Sequence, residues 1–165
     1  MNKFMITAVL LFVSFAAHAK NPYEGTDEWR AVCYLISGYH ISCDGVAQPP
    51  VKPIQAKYLD KGSYGTSYKG VIYYNFDKRG EPKQVLGVIV HEMTHYLLEQ
   101  KGMYLAHDPE HGKDWSEVCP SESYAFAVEN SFYKLMKWDD LIVPQWWKIK
   151  GYRCSSKYRD PLNLK

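Results

Sequence analysis

Apolar residues recur at helical spacing in three stretches of the chain. In "TDEWRAVCYLISGYH" (26–40), Trp29, Val32, Leu35 and Ile36 fall on one face, with Thr26 or Asp27 as cap and Gly38 as stop. A second helix is predicted from Pro82, which suits a first helical turn, to about Lys101, with Gly102 as a left-handed stop. Its apolar positions, Val85, Leu86, Val88, Ile89, Val90, Met93, Leu97 and Leu98, cover most of the circumference, which predicts a central helix. A third helix follows Pro120 in "SESYAFAVENSFYKLMKW" (121–138).

Between the first two helices the periodicity changes. "VAQPPVKP" (46–53) reads as a loop, "IQAKYLD" (54–60) as a strand, "KGSYGTS" (61–67) as a turn and "KGVIYYNF" (69–76) as a stronger strand. Together these predict an antiparallel hairpin. A loop bearing glycine and histidine (102–117) joins the last two helices, and the end of the chain, with Trp146 and Trp147, is expected to pack irregularly over the body. The expected class is α+β, with a short antiparallel sheet, a central helix and a second long helix.

Composition refines this picture in three ways. The first nineteen residues, "MNKFMITAVLLFVSFAAHA", have one lysine, an apolar run and small residues at Ala17 and Ala19. That is the layout of a signal peptide cleaved after Ala19, leaving residues 20–165 as a single exported domain, periplasmic or secreted, with no membrane anchor. Cys33, Cys43, Cys119 and Cys154 all follow that segment, and an even count in an oxidising compartment predicts disulfides, Cys33–Cys43 and Cys119–Cys154 being favoured among the possible pairings. Lys+Arg and Asp+Glu nearly cancel at 20 against 18, which gives no electrostatic case for a nucleic-acid partner.

The chemistry concentrates in "VIVHEMTHYLLEQ" (88–100), where two imidazoles and a carboxylate interrupt an apolar helix. Buried ionisable groups are costly unless paired, hydrogen-bonded or bound to metal. His91 and His95 are four residues apart, so both rings project from one helix face and can grip one tetrahedral Zn²⁺ at about 2.0–2.1 Å. Glu92 points beside the metal, from where it can take a proton from a zinc-bound water. The pattern therefore offers two ligands and a general base.

This segment resembles the active-site helix of the zincin metallopeptidases, and "GVIYYN" (70–75) is similar to the strand that lies along their cleft and pairs with an extended substrate. The resemblance spans roughly residues 70 to 130 and implies a small zincin-like domain. The metzincin arrangement is excluded, because Leu98 and Lys101 stand where its glycine and third histidine would be.

Two candidates for the third ligand remain. Glu122 in "SESYAFAVE" resembles the gluzincin pattern, in which small residues such as Ala125 and Ala127 follow the glutamate. Glu129 on the same stripe would then back a ligand histidine, and a Cys119 bridge would fix the start of the helix. His111 in "EHGKDW" resembles the SprT-like zincins, with Trp115 in the place of their aromatic residue. A donor for the oxyanion is also required, with Tyr104, Tyr124, Tyr152, His107 and His111 as candidates. His40 has no partner pattern.

The resemblance implies a zinc-dependent peptidase acting on a protein or peptide, with His91, His95 and Glu122 on the metal and Glu92 as base. Alternatives are an amidase or endopeptidase for peptidoglycan stem peptides, a binding or inhibitor module that keeps the zinc helix only as scaffold, and an exported protein held by disulfides without metal.

Overall fold

Thr26 opens the first helix, α1 (Asp27–Ser37), its hydroxyl accepting the Trp29 N–H at 3.3 Å. This is the N-cap expected of a threonine ahead of an amphipathic run. The computed structural model describes residues 26–49, 53–56, 59, 64–68, 70–75, 81–103, 115–146 and 162, with backbone only at 115–118. The proposed signal segment, Cys154 and the His111 loop lie outside the described residues.

Trp29, Val32, Cys33 and Ile36 form the buried face of α1. A Cys33–Cys43 disulfide ties the following turn back to that face across a sequence separation of 10, as expected. Closing a loop of this size removes denatured-state freedom worth about 2–4 kcal/mol. Cys119 is also disulfide-bonded; its expected partner, Cys154, falls outside the described residues.

Three short strands form a mixed sheet in the order β1–β3–β2: β1 (Ile54–Gln55), β2 (Gly65–Tyr68) and β3 (Val71–Tyr74). The hairpin is real but its first arm is not the expected one. β2, of which residues 65–67 belong to the segment that reads as a turn, pairs antiparallel with β3, placing Tyr68 opposite Val71, and Gly70 turns the chain at φ 77°. Ile54–Gln55 pairs parallel with β3 on its other side, so β3 is the middle strand. Within residues 70–75, Tyr73 and Tyr74 have strand neighbours on both sides, β1 and β2.

Helix α2 (Pro82–Gln100) starts at the expected proline. It ends in a Schellman motif, in which Gly102 at φ 62° and Met103 donate their N–H groups to Glu99 and Leu98 carbonyls. It is buried around nearly its whole circumference, against α1, the sheet and α3. Helix α3 (Trp115–Leu135) begins before Pro120 and continues through it, so Glu122 lies inside the helix and not at its start. Cys119 packs with Phe126 and Trp146 in a small satellite core that holds this first part of α3.

Beyond α3 a short 3₁₀ turn, Asp139–Leu141, leads to Val143, whose N–H and C=O are both engaged by the Asn130 side-chain amide at 2.7 and 3.0 Å. That clamp brings Trp146 back to stack on Phe126, with ring centroids 5.2 Å apart. As far as Trp146, the tail does pack over the body. No helix among the described residues is long and apolar enough to cross a membrane.

Candidate metal centre

The four-residue step of α2 aligns His91 and His95 on one face, and α3 faces it. Nε2 of His91 and Nε2 of His95 are 3.1 Å apart. Glu122 brings its carboxylate to 3.4 Å from His91 Nε2 and 3.8 Å from His95 Nε2. A tetrahedral ion bonded at about 2.0–2.1 Å separates its ligand atoms by about 3.3–3.4 Å. Oε2 of Glu122 is the oxygen nearer His91 and Oε1 the one nearer His95; one donor atom from each of the three residues lies within 4.8 Å of the others, a group able to hold a metal ion.

Each imidazole is oriented from behind by α3. His91 Nδ1 is 2.9 Å from Glu129 Oε2, and Glu129 is buried. The carboxylate accepts the Nδ1–H, so in the neutral ring Nε2 keeps its lone pair for the cluster. His95 Nδ1 lies 2.5 Å from the Ser121 hydroxyl, which orients the second ring. Phe126 meets His91 edge-on at 4.6 Å and limits its rotation.

The electrostatics call for a positive charge. Two ring lone pairs and a carboxylate converge within 3.1–3.8 Å, an arrangement that repels itself unless a cation or proton sits among them. Burial alone would lower the His91 pKa, but Glu122 and Glu129 outweigh it and push it up to about 10. A divalent ion would satisfy the same demand while releasing that proton. Solvent reaches the cluster, since the His91, Glu122 and His95 side chains retain 10%, 16% and 19% of their surface.

Glu92, next to His91 in the sequence, is buried on the β2 side of α2. A Cβ on Gly65 would lie 2.9 Å from Glu92 Oε1 and 2.5 Å from Val88 Cγ1, so the glycine leaves the room that the carboxylate uses. Of the expected oxyanion donors, Tyr124 is buried in the main core, edge-on to Tyr39. Tyr104, His107, His111 and Tyr152 lie outside the described residues. His40 is placed at the turn after α1, with φ 62°.

The structure brings together His91, His95, Glu122 and, behind them, Glu129. Sequence reasoning missed Ser121 and Tyr133, whose hydroxyl donates to Glu129 Oε1 at 2.9 Å. One signal for Tyr133 was available: Glu122, Phe126, Glu129 and Tyr133 are spaced four, three and four apart, a single helical stripe. Ser121 lacks such a signal. Comparison of the chain with protein-family models, curated proteins and solved structures gives no match in any of the three.

Proposed function

We propose that the chain is a zincin-type, zinc-dependent peptidase, in which His91, His95 and Glu122 hold the metal and Glu92 is the general base. The observation that carries this reading is the convergence of two imidazole nitrogens and one carboxylate within 4.8 Å of one another, with Glu129 behind one ring. Two histidines and a glutamate are a donor set suited to Zn²⁺, and three protein ligands leave a position for a reactant. When bound, the ion supplies Lewis acidity that polarises a carbonyl and acidifies water.

The residues of the chain do the rest. Glu129 and Ser121 hold the two rings with Nε2 turned inward. Glu92, adjacent in sequence to His91 and seated against Gly65, accepts the proton of the attacking water and returns it to the leaving amine. An extended polypeptide is the substrate class this chemistry suits, the hydrolysed bond being an amide. Export belongs to the same reading, and the disulfides at Cys33–Cys43 and at Cys119 support it, since such bonds persist in oxidising compartments.

Glu92→Gln tests the assignment. It keeps size and hydrogen-bonding capacity but cannot take up a proton. The variant is expected to retain near-stoichiometric zinc by elemental analysis and to lose at least about 100-fold in turnover of a casein-derived peptide mixture and of peptidoglycan stem peptides. Wild-type protein without zinc, or unchanged turnover in Glu92→Gln, defeats the reading. Which of the two substrates is cut separates a general peptidase from a cell-wall endopeptidase.

A further inference from the structure

Glu129 is a fully buried carboxylate with a different donor at each oxygen. Oε2 accepts from His91 Nδ1 and Oε1 accepts from the Tyr133 hydroxyl, both at 2.9 Å. Tyr133 is itself completely buried and lies one turn further along α3. Facing it is Gly87, one turn before His91 on α2. A Cβ at Gly87 would fall 1.9 Å from Tyr133 Oη and 2.3 Å from Cζ, so the phenol occupies the space that any other residue would fill.

We propose that Tyr133 is a positioning residue for His91, acting through Glu129, and that Gly87 is required as glycine to seat it. This rests on the reading of His91 as a metal ligand. The terminal torsion of a glutamate is broad and roughly two-fold, so a single contact to His91 would leave the carboxylate free to rock. The Tyr133 hydroxyl fixes its plane from the opposite side. With Glu129 held, the Nδ1–H of His91 has one stationary acceptor, and Nε2 is aimed at the place where Glu122 and His95 converge. The phenol acts on His91 through Glu129.

Tyr133→Phe removes the hydroxyl and keeps the ring against Gly87. Zinc affinity, measured by competition with a chromogenic chelator, should fall about tenfold, the low end of the range for losing an outer partner of a ligand. The hydrogen-bonded His91 Nδ1–H proton signal in the zinc-loaded protein should move. Tyr96→Phe is the control, because its hydroxyl donates to the Ala47 carbonyl at 3.3 Å. It should change neither reading. Unchanged affinity or an unmoved signal in Tyr133→Phe overturns the proposal, as does an equal loss in Tyr96→Phe. Zinc binding by the wild type that His91→Ala does not weaken defeats the metal-site reading itself, and the role of Tyr133 with it.

Discussion

His91 has a carboxylate at each ring nitrogen, Glu129 at Nδ1 and Glu122 at Nε2. The two acids do different work. Glu129 is sealed in the core and fixes the ring, whereas Glu122 keeps some solvent exposure and points into the cluster. Glu122→Ala should therefore weaken zinc binding by more than the roughly 100-fold upper range for an outer partner, since it deletes a donor outright. His111→Ala should cost less, and isothermal titration of both variants compares them; the reverse order would move the third ligand to the loop. The pairing of His91 with His95 and of Glu122 with Glu129 was legible, because the helical period puts each pair on one face, while the choice of Glu122 as a donor came from its resemblance to the gluzincin pattern. Tyr133 shares the Glu129 stripe and could have been found from it, whereas Ser121 could not, since what it touches is decided by how two distant helices align.

That alignment is the property of the α2/α3 pair. Tyr133 meets Gly87, Glu129 meets His91, and Ser121 with Glu122 meets His95, so the partners ascend one helix as they descend the other. The helices run antiparallel, the partners being one turn apart on α2 and one and then about two turns apart on α3. Gly87→Ala should disturb the layer next to His91. Alanine gains about 1 kcal/mol in helix propensity, but overpacking a closed core typically costs about 1–3 kcal/mol. With Tyr133 fully buried and a Cβ 1.9 Å from its oxygen, the clash should prevail. Urea unfolding should show a net loss of up to about 2 kcal/mol, accompanied by weaker zinc binding.

At this same scale the sequence misled in two places, each for a physical reason. Residues 65–67, in the stretch 61–67, read as turn because glycine and serine are poor strand formers, yet Gly65 is in β2, where the strand passes close to Val88 and Glu92. Pro120 read as a helix start, but the packing of Cys119 and Phe126 with Trp146 accompanies a helix that began five residues earlier. In both, tertiary contacts outweighed the local signal. The helices that carry the donors were legible because their apolar periodicity is long.

For the whole molecule, the cluster links stability to metal and to pH. In the metal-free protein His91 has a folded value near 10 against an ordinary 6.5. A raised value means that its contribution to stability is present in full below pH 6.5 and is lost as pH rises through about 10. Thermal melts of chelator-treated protein should show that loss on the alkaline side. Zinc at a hundred times its dissociation constant should add about 2.7 kcal/mol at neutral pH and blunt the alkaline decline, because the ion replaces the proton between the carboxylates. A metal-free melting temperature that climbs steadily from pH 6.5 to 10 would contradict this account.

The layered seam also makes the centre a gauge of its own assembly. Sliding α3 by one turn, about 5.4 Å, would bring Phe126 or Val118 to the place of Glu122, according to direction. Either neighbour offers hydrocarbon where a cation needs oxygen. Mispaired helices would be unable to capture the ion, so metal uptake would report, and reward, a single correct docking of the two rods.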